Sequence, residues 1–536
     1  MNPRTTAGVA VVGNGPVGQT AALLLARWGI PVTLLDRRSR RSAVGSKAIC
    51  QQRDVLDIWS SLGAGRIARD GLTWTTARTY YRDRELFHWS FVDRGHSPLP
   101  AFVNVSQCHT EAVLDELIAA QPLIDVRWGY DVVDLHQDAE QVELTCDSSA
   151  GTRRITAPYA VVAAGAQGNE LRELLGVTFD GQTFDDRFLI CDIRAELPGW
   201  ETERRFYFDP AWNPGRQVLI HPCPDSTYRI DWQVPAGFDL EAEVARGGLD
   251  TRIRQVIGDR PYEIVWKSVY RFHARKVDRM RVGRVLLAGD FAHLVAPFGA
   301  RGLNSGVADA ENAAWKLAFV LNSWATDALL DSYDTERRAA AAENLDVASR
   351  TMRFLVPQNR AERETRRGIL DAAVSDPEAR GRVDSGRFAE PFWYVDSALT
   401  TADPDRVFGG RPPRGESPAA VPGVLVPDGP IRVAGRPDVH RLRQLVRDGL
   451  LALVTSGNVR EVARALAAAT AAPSVVLQLG DVDRDGVIAR ALDAKPAETW
   501  LIRPDGHIAA VVATSDLPAL TAAAHRAVAA PCHFSG

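Results

Sequence analysis

Cysteine is scarce and scattered. The six in 536 residues (Cys50, Cys108, Cys146, Cys191, Cys223 and Cys532) form no CxxC pair, which argues against a disulfide framework or a thiolate zinc site. Long apolar runs are lacking too: none reaches the roughly 20 residues of a spanning helix, so no membrane role is expected. Neither sign of charge is in excess. A net charge of -4, from 63 basic and 67 acidic residues, gives no electrostatic case for nucleic acid or an anionic membrane. The opening "MNPRTTAGVAVVG" has one Arg before a strand-like run, so no signal peptide is read and a cytoplasmic protein is expected. There is no internal repeat and no low-complexity tail. What is present is an ordinary globular composition, 46% hydrophobic and 24% charged, with length for about two to four domains with real cores.

The first informative stretch is "AGVAVVGNGPVGQTAALLLARWGIPVTLLDRR", residues 7 to 38. Gly8 to Val12 is wholly apolar, as a strand covered on both faces should be. Gly13, Gly15 and Gly18 fall where that strand meets a helix over Gln19 to Trp28, and a second buried strand ends in Asp36. The first glycine permits the turn, the second lets a pyrophosphate approach the backbone, and the third lets helix and strand pack. The helix start offers unpaired N–H groups to phosphate. Asp36 can accept the ribose hydroxyls. Arg37 and Arg38 fit either a phosphate or a solvated pair. Strand, motif, helix and terminal acid agree on a dinucleotide site, FAD or NAD.

A second signature lies at residues 282 to 321, "VGRVLLAGDFAHLVAPFGARGLNSGVADAENAAWKLAFVL". An apolar strand ends in Gly289-Asp290, and "GARGLNSG" leads into a helix after Pro297. An acid at the strand end suits a ribitol or ribose hydroxyl, and glycines before a helix let the backbone reach a flat ligand. In a plain strand–loop–helix crossover Asp290 would be only a helix cap.

With these motifs, residues 7 to 355 resemble the FAD-dependent aromatic hydroxylases of the p-hydroxybenzoate hydroxylase fold. The matching residues are Gly13, Gly15, Pro16, Val17 and Gly18, then Gly289, Asp290, Pro297, Gly302, Asn304 and Gly306. "GSKAICQQRDVLDIWSSLG", "FVNVSQCHTEAVL" and "YDTERRAAAAENL" are further matching segments. "RRFYFDPAWNPGRQVLIHPCPDSTYRIDWQVP" is similar to the phenol and 3-(3-hydroxyphenyl)propionate hydroxylase branch. The resemblance implies FAD as the held nucleotide, with Asp36 on the adenosine ribose and Lys47, in place of a common Arg, beside flavin or pyrophosphate. It also implies Gln107 on FAD, Asp290 on the ribitol or pyrophosphate, and Gly302, Leu303 and Asn304 against the isoalloxazine. Arg301 replaces a common Gln, and Lys47 lacks the guanidinium fork.

The fold class expected is mixed α/β. A Rossmann-like FAD domain covers 1–177 and 281–355, and an antiparallel sheet over 178–280 is inserted for substrate. A linker wraps over 356–422, followed by a thioredoxin-like domain over 423–536, without CxxC and suited to packing or homodimer formation. In the insert, "RRFYFD", "RQVLIHP", "YRIDWQVP" and "YEIVWKSVYRFHARKV" offer an aromatic wall for a ring. His221, Tyr228 and Asp231 are candidates to polarise a phenol, with Pro297 near the flavin. Residues 327 to 355 read as one long helix whose "ERR" is a solvated or interdomain face. "LIRPDGHIA" reads as a hairpin turning at Pro504, Asp505 and Gly506.

The activity implied by the resemblance is monooxygenation. NADPH or NADH reduces FAD, O2 forms a C4a-hydroperoxide, and oxygen passes to a phenolic or polyketide-like ring. Baeyer–Villiger insertion into a ketone is the alternative, and an FAD-binding scaffold without turnover the second. One stretch departs from the family. "VVAAGAQGNELRELLG", residues 161 to 176, reads as strand, Gly-containing turn and helix. It stands where relatives carry "DGxxSxxR", yet Ala164 and Gly165 supply no acid. It is read as a structural crossover, not a second phosphate cradle.

Overall fold

The computed structural model describes residues 8–42, 45, 47–90, 96–413 and 416–530, so Cys532 and the end of the expected last unit lie outside it. Two large sheets organise the first two-thirds of the chain. The first has six strands in the order Arg281–Val282, Val285–Leu287, Ala160–Val162, Val9–Val12, Val32–Asp36 and Ile124–Trp128. Four of its five pairings are parallel, all but that between the first two, and Val9–Val12 is buried at every position. The helix Pro16–Arg27 starts with Pro at its first turn, where no N–H partner is lost, and gives way to Gly29 at φ +78°.

The second sheet has eight strands. Its centre is Tyr262–Val277, Phe179–Ala195, Thr227–Val234, Gln217–Cys223 and Glu203–Phe208, joined antiparallel in that order. The hairpin Thr76–Tyr81 and Arg84–Ser90, early in the chain, extends it beside Glu203–Phe208. The sheet therefore draws on residues outside 178–280. One face packs Leu189, Ile193, Ile230 and Trp232 against the helix Gly248–Ile257. The other carries Phe188 and faces the cavity described below.

The structure refines three features of the sequence reading. The long helix is preceded by a 3-10 turn, Asp327–Leu330, and runs over Asp331–Leu355. Of the two readings of its "ERR", the interdomain one fits Glu336 and Arg337, 3% and 2% exposed and held in buried ion pairs, Glu336 with Arg503 of the C-terminal hairpin, while Arg338 stays exposed. The expected linker begins with two helices, Arg360–Ala373 and Pro377–Gly381, the first capped by Asn359 on the Glu362 N–H. Its charged text hides an apolar stripe (Leu370, Ala373) that packs against Met352 and Leu355. Irregular chain then leads to a four-stranded sheet in the order Ser474–Gln478, Leu450–Val454, Glu498–Ile502 and Ile508–Ala513.

Helices Val459–Ala469 and Leu517–Val528 share one apolar cluster with Trp315 and Phe319 of the first unit. The hairpin turn is where the sequence puts it, with Gly506 at φ +81° and its N–H donated to Arg503 O. Its charges point inward: Arg503 is fully buried, bonded to Glu336 and Asp505.

Candidate active site

Between the two sheets lies a cavity of about 2040 Å³. Both glycine motifs open into it. Gly13 has φ +106°, and a Cβ there would sit 2.3 Å from Ala163 O; one on Gly18 would sit 1.8 Å from Gly13 O. Those glycines close the backbone turn. Around Gly15, by contrast, a Cβ would meet nothing within 4 Å, and the helix behind it has no side-chain cap. Its first N–H groups are thus left for an anion.

Asp36, at the strand end beside this turn, is 6% exposed. Arg38 grips both of its oxygens, through Nε to Oδ1 (2.8 Å) and Nη2 to Oδ2 (2.7 Å), and the Asn14 N–H donates to Oδ2. Burial raises its pKa, but these hydrogen bonds outweigh burial and hold it below the ordinary range. Arg38 is therefore a clamp and not half of a solvated pair. Arg37, also on the cavity wall, donates to Gln167 Oε1, joining the cavity rim to the 161–176 stretch.

The second motif forms the opposite end. Gly289 (φ +61°) begins a 3-10 turn with Asp290, and the helix Arg301–Leu321 starts uncapped from Ala300 in the left-handed region. Gly302 lies near Asp290, 3.8 Å from its Oδ1 for an added Cβ. Asp290 lines the cavity, where burial raises its carboxyl, opposed by His293, Lys47 and Arg172. Asp309 holds this turn from beneath, accepting from Gly289 N, His293 Nε2 and Arg337 Nε at 3.0, 2.7 and 2.6 Å. Burial opposes its ionisation, but His293 and Arg337 win and hold it at about 2.

The other expected residues divide. Pro16, Val17, Lys47, Gln107, Pro297 and Leu303 all line the cavity. Gln107 also pins the preceding loop, accepting from the Ala48 N–H and donating to Glu111. Gly18 and Asn304 are not on the cavity wall. The Asn304 amide is spent on backbone, accepting from Gln52 N and donating to Cys50 O and Ala300 O, so it fixes the loop before the helix. Arg301 is buried under the same loop, bonded to Asn344 and to the carbonyls of Arg387 and Phe388. Of the candidate acid–base groups, His221 and Asp231 line the cavity. Tyr228 does not: its ring lies in the core on the other sheet face, 2% exposed, with its hydroxyl toward Leu197 O, which removes it as a candidate.

The sheet face of the cavity carries Phe188, Ile190, Leu219, Tyr270 and Phe272, with Phe298 across from Phe188 and Phe272 at 5.4 and 6.0 Å between ring centres. Among them sits an ion pair that no local pattern announced, Arg229 gripping Asp192 at 2.8 and 3.1 Å and also reaching Lys47 O. The 161–176 stretch forms part of the wall from Ala163 to Leu171. Its turn is held by Arg172, buried against Phe179 and Phe291 and donating to Phe291 O, Ala166 O and Asn169 Oδ1. The stretch is thus tied to the Gly289–Phe291 turn.

Residues 6–348, more than half of the chain, match the protein family described as the FAD binding domain. The chain belongs to this family. It is 28% identical to 6-methylpretetramide 4-monooxygenase of Streptomyces rimosus, over 96% of this chain and 92% of that protein. A 3-(3-hydroxy-phenyl)propionate/3-hydroxycinnamic acid hydroxylase of Mycobacterium sp. (strain KMS) is 26% identical over 96% and 90%. Among solved structures, the flavin-dependent monooxygenase PieE in complex with FAD and substrate superposes with a TM-score of 0.85 at 24% identity, over 99% of this chain and 100% of that one. The α/β class, the FAD cofactor and the enzyme type, an FAD-dependent monooxygenase, are as the motifs implied. No helix among the described residues is long and apolar enough to cross a membrane.

Proposed function

We propose that this FAD-binding-family member hydroxylates a phenolic substrate of multi-ring, polyketide-like size, with NADH or NADPH as reductant and O2 as oxidant. The observation that carries the size is one continuous cavity of about 2040 Å³, roughly twice the upper range for one small-molecule ligand. It joins a glycine cradle to an aromatic sheet wall, so dinucleotide and substrate share one space.

The residues present fit FAD. The open backbone at Gly15 receives the pyrophosphate, and Asp36 lines the cavity where the ribose would lie; its oxygens already accept from Arg38 and the Asn14 N–H, so a ribose hydroxyl would take the place of one of these contacts. Gln107 and Lys47 flank the middle of the molecule, Asp290 takes ribitol hydroxyls, and Gly302 and Leu303 offer backbone N–H groups to the flavin ring at an uncapped helix start. Bound FAD supplies the redox chemistry, taking hydride from the nicotinamide and activating O2. The chain holds the ring in register through Asn304 and Asp309, and encloses it with residues 386 to 391 of the wrapping segment. Enclosure excludes water from the reacting centre. The C-terminal unit, read as thioredoxin-like, contributes walls and not thiol chemistry.

Anaerobic mixing of the FAD-loaded protein with NADH or NADPH, with and without 1,8-dihydroxyanthraquinone, tests the reading. Flavin bleaching accelerated by the phenol, followed in air by a product heavier by one oxygen, is the expected result. A protein that never bleaches, or that takes up no FAD, refutes it.

A further inference from the structure

On the aromatic wall, two side chains carry heteroatoms that are shielded and unpartnered, His221 Nδ1 and Asp231 Oδ1, while both residues line the cavity. They stand on adjacent strands. Leu219 is opposite Asp231 and His221 opposite Arg229, so all four project from one face and His221 and Asp231 are diagonal neighbours. Buried polar atoms without partners are costly and call for an explanation, a catalytic role among them. The neighbouring Asp192 is not in this position, since Arg229 satisfies it. Flat rings flank the pair, Phe188, Tyr270 and Phe272.

We propose that Asp231 and His221 receive a phenolic hydroxyl of the substrate, Asp231 as general base and His221 as hydrogen-bond donor to the oxygen left charged. This rests on the phenolic-substrate reading above. The phenol O–H bond breaks and its proton passes to an Asp231 carboxylate oxygen. The bonding pair stays on the phenolic oxygen, which accepts a hydrogen bond from the neutral His221 ring. The charge of the site is unchanged, and no other reactant is needed. The resulting phenolate pushes electron density into the ring that is to be oxygenated.

The surroundings suit both roles. Asp231 is faced by Arg229 on its own strand, by Asp192 on one side, by His221 and Cys223 on the other, and by Arg204 and Tyr270 further out, with Cys191 behind it on the opposite sheet face. Burial raises its carboxyl to about 7, with Asp192 adding and Arg229 and Arg204 opposing. A base of that strength is half-ionised near neutrality, where general-base catalysis is most effective. Burial, then Arg204 and Arg229, holds the His221 ring well below its ordinary value and so neutral, with one N–H to give.

Equilibrium dialysis of the FAD-loaded protein with 2-naphthol and 2-methoxynaphthalene tests this. The methyl ether keeps ring and oxygen but has no proton to transfer. Wild type is expected to favour 2-naphthol by at least about tenfold, the preference growing from about pH 5.5 to about pH 8 as Asp231 ionises. In Asp231→Asn the preference and its pH dependence disappear, while 2-methoxynaphthalene binds as before. His221→Phe lowers the preference but keeps the pH dependence. A pH-independent preference in wild type, or one that survives Asp231→Asn, overturns the proposal. If neither probe binds wild type, the phenolic-substrate reading falls and this inference with it.

Discussion

Glu336→Gln tests whether the C-terminal unit is a fixed part of the enzyme. Glu336 accepts from Lys316 Nζ at 2.6 Å, Arg503 Nη1 and Nη2 at 2.6 and 3.0 Å, Asn312 Nδ2 at 2.8 Å and Ser397 Oγ at 2.6 Å. One carboxylate thus joins the flavin-side helix, the long helix, the wrapping segment and the C-terminal hairpin. Glutamine keeps the shape and removes the charge. Losing one partner of a buried ion pair costs about 3–5 kcal/mol, because the other charge stays buried and uncompensated.

Two features favour the lower end. Arg503 retains Asp505 at 2.6 Å, and burial already holds the Lys316 ammonium down to about 8, so without Glu336 it can shed its proton. A loss of about 3 kcal/mol converts to roughly 6 °C in apparent Tm at about 2 °C per kcal/mol. Because a chain of several units need not unfold in one step, hydrogen exchange at residues 503 to 507 is read alongside. Because Glu336 raises the Lys316 value, the variant's ammonium lies below the wild type's value of about 8 and sheds its proton earlier, so the deficit narrows as pH rises toward about 8. Glu364→Gln is the control: it breaks an exposed pair with Arg360 and should shift stability by under about 0.5 kcal/mol. A Glu336→Gln protein within about 1 °C of wild type, with unchanged exchange in the hairpin, refutes the reasoning.

Gly13→Ala and Gly15→Ala should part company: the first forces a Cβ onto Ala163 O and yields little folded protein. The second folds but loses FAD affinity by tenfold or more, read by flavin fluorescence. Asp309→Asn should weaken FAD retention and flatten the acid limb of the stability curve. Native Asp309 stays ionised to about 2, so its contribution of about 2 kcal/mol is present above about pH 4 and lost as pH falls toward 2. Ala164→Asp restores an acid on the cavity wall and should raise the rate of flavin reduction by NADH or NADPH severalfold in stopped flow. An unchanged rate shows that this departure does not limit hydride transfer.

The elements were legible where pattern is local. The strand Val9–Val12, the helix Arg301–Leu321 and the turn at Gly506 follow from apolar runs, glycine punctuation and period, and the structure differs by a few residues. What could not be read is pairing over distance. Glu336 and Arg503 are 167 positions apart, and nothing in "ERR" or "LIRPDG" marks them as partners. Arg229 and Asp192 sit in strands whose text reads as ordinary alternation, and only register puts them opposite. Asn304 shows the reverse case: the side-chain amide of a motif residue is taken up by backbone groups.

The buried charges make one further point about design. Arg447 bridges Asp57 and Glu311, Arg443 pairs with Asp54, and Arg441 shares Asp57, so the C-terminal unit grips the helices flanking the cofactor cradle through a linked set of ion pairs. Buried ion pairs add little net stability over apolar packing, yet they tolerate no slippage, since a displaced unit leaves several charges unpaired at once. An apolar interface such as that around Trp315 and Phe319 can shift by a rotamer and survive. The wrapping segment supplies residues 386 to 391 and 420 of the cavity wall, and the C-terminal unit adds Val424, Leu425, Pro427, Asp428 and Arg443. Its charged docking is therefore best understood as fixing the shape of the substrate end of the cavity, a role for which orientation matters more than strength.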